Sequence, residues 1–273
     1  MTDAATLPPT DTQLQPLRAA LAQAWPGLTL EWREEVDSTN VELMRRARAG
    51  DAAPVLLVAQ RQTAGRGRLG RAWQSAQQAH DPAASLTFSL GLPLAPRDWS
   101  GLSLAVGVSA AESLDPDGRA GVQLKWPNDL WAQQRKLAGI LIETASLPAG
   151  HAARYVVIGI GLNIGERPGT DMRTPPAWVR QWQPGATPLS ALQALAPALV
   201  DEVRRFEDAG FAPVLARFAA RDALAGQDVH LSDGREGRCE GVGPGGELRV
   251  RTTRGLEEIS SAEVSVRPRG MAL

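Results

Sequence analysis

The stretch Gly65-Arg66-Gly67-Arg68-Leu69-Gly70-Arg71-Ala72-Trp73 gathers three glycines and three arginines within nine residues. Glycine lets a backbone turn its amides toward a ligand, and a guanidinium offers a forked pair of donors that fits carboxylate or phosphate oxygens. The stretch therefore reads either as an anion cradle or as an arginine-rich solvated loop; the GK[ST] ending of a Walker phosphate loop is absent. Trp73 closes it with an indole suited to a core position or to stacking on a purine.

A second signal lies in what the chain avoids. Of its 29 basic residues only Lys125 and Lys136 are lysines, and its only asparagines are Asn40, Asn128 and Asn163. Arginine can stand in for lysine on a solvated surface but not where a compact, rotatable ammonium is needed, so both lysines are functional candidates. All five residues fall within DSTN (37–40), LKWPNDLWAQQRKLAGILIE (124–143) and GIGLNI (159–164). A tight connection through Trp131 to Arg135 predicts a hairpin that brings Lys136 to Asp129 and Asn128. That cluster is a surface ion pair or a group facing a nucleotide, and the scarcity of lysine favours the second.

Ser38, Thr39 and Asn40 offer two readings. Thr39 has capping-box spacing to Glu42 and is expected to cap a helix over 41–49, yet a cap does not need three successive hydrogen-bonding residues. Gly159, Gly161 and Asn163 resemble a glycine-rich nucleotide loop only weakly. His80, His151 and His230, with the single cysteine Cys239, make no zinc ligand set, and no G-x-S-x-G elbow is present.

These residues need a scaffold. The chain has 273 residues, 43% apolar and 22% charged, with a net charge of -1, which excludes a disordered or fibrous chain and advertises neither nucleic acid nor an anionic membrane as a partner. The absence of a long apolar run, of signal-peptide order at the N-terminus and of paired cysteines leads to the expectation of a cytoplasmic protein. Patterning predicts helices over 12–25, 99–114, 188–209 and 211–220. It predicts strands over 28–36, 55–59, 86–90, 122–126, 137–143 and 155–160, the last three as a meander. After Gly226, short runs at 228–231, 237–242, 247–251, 256–259 and 264–267 predict a small barrel or sandwich packed on the larger unit. The expected division is a tail and helix over 1–27, a catalytic unit over 28–224 and a β unit over 225–273.

The motifs DSTN, QTAGRGRLGRAW, KWPNDL, RKLAGILIE and GIGLNI occur in that order, and over about residues 30–268 the chain resembles the biotin protein ligases, or biotin-[acetyl-CoA-carboxylase] ligases. The resemblance implies an α+β fold: a mixed-sheet catalytic domain related to class II synthetases and lipoate ligases, with a small C-terminal SH3-like β-barrel. It implies activation of biotin with MgATP to biotinoyl-5'-AMP and transfer to a lysine of a biotin carboxyl carrier protein. It places Ser38, Thr39, Asn40 and Gln62 on the biotin ring, and Arg66, Gly67, Arg68 and Lys136 on its carboxylate and then the adenylate phosphate. Arg71, Trp73, Asn128, Asp129 and Asn163 fall to ATP, with Trp73 over the adenine; Lys136, Arg68 and Asp129 are the implied catalytic residues, and no metal ligand is assigned. The space before Asp37 holds no full helix-turn-helix, so the expectation is the monofunctional kind, without nucleic acid or membrane as partner; oligomeric state stays open, a homodimer included. One departure from the family pattern is the long segment Gln74–Ala84 before SLTFSL, where a GNLY-like strand with an asparagine near Ser85 is expected. A lipoate or octanoate ligase and a non-catalytic sensor of biotin adenylate are the competing readings.

Overall fold

The computed structural model describes residues 8–73, 81, 83–147, 152–166, 176–260 and 266–268. The first helix, α1 (Asp11–Ala24), begins at Thr10, whose side chain and that of Gln13 cap one another's backbone. Strand β1 (Thr29–Val36), helix α2 (Thr39–Arg48) and strand β2 (Val55–Gln62) follow as a crossover unit, with β1 and β2 parallel. Then come β3 (Ser85–Leu94), α3 (Leu102–Leu114) and the meander β4 (Val122–Lys125), β5 (Asp129–Ala132), β6 (Arg135–Ser146) and β7 (Arg154–Asn163). They complete a seven-stranded mixed sheet in the order β1-β2-β3-β7-β6-β5-β4.

The period-two alternation of a strand divides this sheet into two unlike faces. On one face Leu86, Phe88, Leu90 and Leu92 of β3 and Val156, Ile158, Ile160 and Leu162 of β7 enter the main core. There they meet α3, which is apolar on nearly all sides, and α4 (Pro188–Ala209), whose stripe Leu192, Leu195, Leu199, Val203 and Phe206 is buried. Each such side chain contributes about 1.5–3 kcal/mol on burial. The other face alternates into small and polar residues, and α2 covers one end of it through Leu43, Met44 and Ala47, packed on Val55, Leu57, Tyr155 and Val157. The rest of that face is floored by Thr87, Ser89, Gly139, Gly159 and Gly161.

The meander is present, with differences from the sequence expectation. Its hairpin turn is shorter than 131–135: only Gln133 and Gln134 lie between β5 and β6, both at positive φ (52° and 59°). The tight primed turn that connects twisted strands requires that backbone, although glycine or asparagine would adopt it at lower cost. The strand at 129–132 lacks a clear signal in the sequence because KWPNDL carries punctuation in its middle; Trp126, Pro127 and Asn128 turn the chain so that Lys125 pairs with Asp129.

Helix α5 (Leu215–Ala219) leads to β8 (Asp228–Leu231), β9 (Glu236–Val242), β10 (Leu248–Thr252), β11 (Gly255–Ile259) and β12 (Val266–Pro268). They form an antiparallel sheet in the order β11-β10-β9-β8-β12, with β11 and β12 at its edges among the described residues. The sheet is tied to the larger unit where the buried Trp126 indole donates to the Gly246 carbonyl at 3.0 Å. No helix among the described residues is long and apolar enough to cross a membrane.

Candidate active site

Twelve residues singled out from the sequence, Ser38, Thr39, Asn40, Gln62, Arg66, Gly67, Arg68, Arg71, Trp73, Asn128, Asp129 and Lys136, line one cavity of about 160 Å3 on the small-residue face of the sheet. The register of β6 on β7 orders it. Leu141 pairs with Gly159, and two residues along each strand, Gly139 pairs with Gly161. A Cβ on Gly159 would overlap the Asn40 amide, and one on Gly161 would overlap the Trp73 indole. The amide and the indole therefore stand on successive same-face positions, about 7 Å apart along the strands. GIGLNI is a strand floor rather than a phosphate loop, and its glycines make room for side chains from other elements.

At the Asn40 level the surroundings are neutral and hydrogen-bonding. Ser38 occupies the N-cap position of α2, yet its side chain makes no capping bond, and Thr39 is not the cap expected from its spacing to Glu42. Thr39 instead donates its N–H to Gln62 Oε1 at 2.8 Å, with its hydroxyl 3.2 Å from the same oxygen. Accepting through Oε1 leaves the amide NH2 as the group Gln62 can offer a ligand. Ser38, Thr39, Asn40 and Gln62 are all buried.

Cationic groups gather at the Trp73 level. Lys136 Nζ ion-pairs with Asp129 Oδ1 at 2.7 Å and lies 6.0 Å from the centroid of the Trp73 ring. Arg68 reaches Asn128 Oδ1 at 3.4 Å, while Asn128 donates to the Ile140 carbonyl at 2.8 Å and accepts from Ile140 N–H at 2.9 Å. Asn128 thus pins the β4–β5 turn to β6 and faces Arg68. Burial lowers the pKa of Arg68 against the pull of Asp129, and neighbouring Arg71 lowers it further. Arg66, Arg68, Arg71, Lys125 and Lys136 line this cavity together with one carboxylate, that of Asp129. Such an excess of positive charge in a partly enclosed space favours a multiply charged anion.

The glycine-arginine segment is closed on itself more than its composition predicts. Arg66 and Ala72 form a β-bridge, Gly67 N–H donates to the Arg71 carbonyl at 2.7 Å, and Trp73 N–H to the Gly65 carbonyl at 2.9 Å. The Gly67 amide is engaged within the segment, so the cradle offers guanidinium groups more than backbone amides. Leu69, in the left-handed region at φ 56°, forms its exposed tip.

Two site residues differ from expectation. Asn163 does not line the cavity; it is buried and donates through Nδ2 to the carbonyls of Lys136 at 3.1 Å and Ala177 at 3.0 Å, holding the Lys136 backbone from beside the cavity. Lys125, flagged by lysine scarcity but given no role, does line it, 9% exposed and 5.3 Å from the Trp131 ring centroid. Burial, with Lys136, Arg267 and Arg71 nearby, pushes its pKa down to about 8, although Asp129 acts the other way. Most of the long segment after Trp73, residues 74–80 and 82, lies outside the described residues, as does 261–265 before β12.

Residues 34–163 match the biotin/lipoate A/B protein ligase family. The biotin-[acetyl-CoA-carboxylase] ligase of Paracoccus denitrificans is 32% identical over 249 residues, 84% of this chain and 96% of that one. The bifunctional ligase/repressor of Escherichia coli is 34% identical over 242 residues, covering 85% of this chain and 72% of its own. The chain belongs to the biotin protein ligase family. The biotin protein ligase of Aquifex aeolicus, solved in complex with biotin and ATP, shares the fold with a TM-score of 0.72 at 26% identity, over 88% of this chain and 99% of that one. Within this biotin protein ligase fold, four of the five scarce residues, Asn40, Lys125, Asn128 and Lys136, line the cavity and the fifth, Asn163, braces it.

Proposed function

We propose that the chain is an ATP-dependent biotin ligase that converts biotin to biotinoyl-5'-AMP and transfers the biotinoyl group to one lysine of a biotin carboxyl carrier protein. The observation that carries this reading is the junction, in one cavity, of a neutral hydroxyl-amide patch with a cationic patch. A urea ring requires donors and acceptors on neutral groups; a carboxylate about to join a phosphate requires positive charge. Ser38, Thr39 and Gln62 would hold the ring, with Asn40, its amide committed to Leu141, Glu143 and Ser89, shaping the floor beside it; Arg66, Arg68 and Lys136 would hold the carboxylate, with Gly67, its N–H committed to Arg71, leaving room for it; and Arg71, Trp73, Asn128 and Asp129 would hold the nucleotide. Asn163 takes no direct contact in this scheme and acts through the Lys136 backbone.

In the first step a biotin carboxylate oxygen attacks the α-phosphorus of ATP, an acyl-phosphate bond forms and pyrophosphate leaves. No side-chain nucleophile is required; the protein supplies alignment and stabilises charge on the phosphate oxygens. Asp129, ion-paired with Lys136, keeps that ammonium directed at them. Mg2+ arrives with the nucleotide and is counted with it as substrate. In the second step a neutral lysine amine attacks the acyl carbon, AMP leaves and the nitrogen loses its proton, for which Asp129 is the carboxylate at hand.

The division into 1–27, 28–224 and 225–273 is supported by the two separate sheets, the second of which is an open antiparallel sheet among the described residues; its reading as an SH3-like barrel rests on the family resemblance alone. A lipoate or octanoate ligase would press a dithiolane or alkyl chain against the Gln62 amide NH2 and give that donor nothing to bond. The test is pyrophosphate exchange with biotin, lipoate and octanoate in parallel: exchange should require biotin, and equal exchange with octanoate would overturn the reading.

Gly161→Ala probes the nucleotide side. Its Cβ would displace the Trp73 indole, and losing one base-aromatic stack costs about 1–3 kcal/mol. The KM for ATP should rise about tenfold while biotin binding without ATP stays within about twofold. An unchanged KM for ATP would remove Trp73 from the adenine.

A further inference from the structure

Ser89, on β3, is fully buried and lies outside the cavity lining, yet its hydroxyl touches two site residues: Thr39 Oγ1 at 2.7 Å and Asn40 Oδ1 at 2.7 Å. One proton cannot serve both contacts. Asn40 resolves the direction, because its Nδ2 donates to Glu143 Oε2 at 2.9 Å and to the Leu141 carbonyl at 3.2 Å, both of which only accept. Its Oδ1 is therefore fixed toward Ser89, seated over Gly159, and can only accept. Ser89 must give its proton to Asn40, since two facing lone pairs at that distance would repel. The contact between Ser89 and Thr39 then requires the Thr39 proton, and the longer 3.2 Å approach of Thr39 Oγ1 to Gln62 Oε1 is secondary.

We propose that Ser89 is a positioning residue for specificity: a relay from Glu143 through Asn40 and Ser89 commits the Thr39 proton away from the cavity, making the Thr39 hydroxyl an acceptor for a ligand N–H. The inference rests on the biotin reading above and extends it. Gln62 then offers a donor and Thr39 an acceptor, the complement of a urea's carbonyl and N–H. A ring lacking N–H groups would set its own lone pairs against those of Thr39, a penalty that applies even when its shape fits. The relay costs no charge in the cavity, because the Glu143 carboxylate stands at the far end of the chain of bonds.

The test compares wild type with Ser89→Ala and Ser89→Cys by calorimetric titration with biotin and with the analogue in which oxygen replaces both ring nitrogens. In Ser89→Ala the Thr39 proton loses its 2.7 Å partner and keeps only the longer approach to Gln62 Oε1, so it is no longer committed away from the cavity; biotin affinity should fall about tenfold while that of the oxygen analogue stays within about twofold. Ser89→Cys, which keeps a weak donor on a larger atom, should fall between. An equal loss for both ligands would make Ser89 a packing residue, and unchanged biotin affinity in Ser89→Ala would remove the relay. Failure of wild type to bind biotin would instead overturn the parent reading and the relay with it, so the two failures are distinguishable.

Discussion

Arg68→Ala is expected to lower biotin-dependent pyrophosphate exchange at least a hundredfold, about 2.7 kcal/mol in the barrier. Its guanidinium is only partly exposed, its pKa is lowered by burial, and it faces Asn128 in the cationic part of the cavity. A donor aimed at developing charge in a water-poor site typically contributes a factor of 100–1,000, whereas an arginine on a solvated loop contributes almost nothing measurable. Lys136→Arg keeps the charge but not the compact ammonium that meets Asp129 at 2.7 Å, and should lower exchange at least tenfold. The assay is initial-rate exchange at saturating biotin and ATP. Rates within threefold of wild type for both variants would return the arginine segment to the solvated-loop reading. Folding is checked separately by urea titration, since neither substitution opens an apolar cavity.

Lys125→Met is expected to act in opposite directions on stability and activity. The Lys125 ammonium is held in a nearly buried place, and its pKa falls from the ordinary 10.5 to about 8. At about 1.4 kcal/mol per pH unit, keeping it charged costs the folded state up to about 3 kcal/mol below pH 8, less what its approach to the Trp131 ring returns. Between pH 8 and 10.5 the unfolded chain binds more protons at this residue than the folded one, so this group alone makes stability rise with pH. Methionine removes the penalty: urea unfolding at pH 7 should show the variant about 1–3 kcal/mol more stable, and the difference should shrink by pH 10. Exchange should drop at least tenfold, because the penalty is retained for the charge it delivers to the cavity. A variant both less stable at pH 7 and fully active would refute the account.

The amino-acid usage makes much of the site legible. A chain that replaces nearly every lysine and asparagine leaves the remaining five conspicuous, and the motifs around them are specific enough to identify the family. The structure differs from this reading at the cap of α2, at the turn before Lys136 and in the place of Asn163, which lies beside the cavity lining. At Thr39 and Asn163 partners distant in sequence take the side chain, Gln62 and Ser89 for the first and Ala177 for the second, whereas the turn before Lys136 is shortened locally by the pairing of Ala132 with Arg135.

Residue type and spacing by themselves determined most of the element order, the helix over 188–209, the small β unit after Gly226 and most of the residues that line the cavity. Those properties follow from local periodicity and from chemical identity, which a linear string carries in full. Tertiary structure alone decided that the glycines of β7 are a floor for Asn40 and Trp73, that Lys125 is a buried charge, and that Ser89 stands behind Thr39. Each depends on strand register and on which face of the sheet meets α2, and a displacement of one residue along a strand would have reversed every one of them.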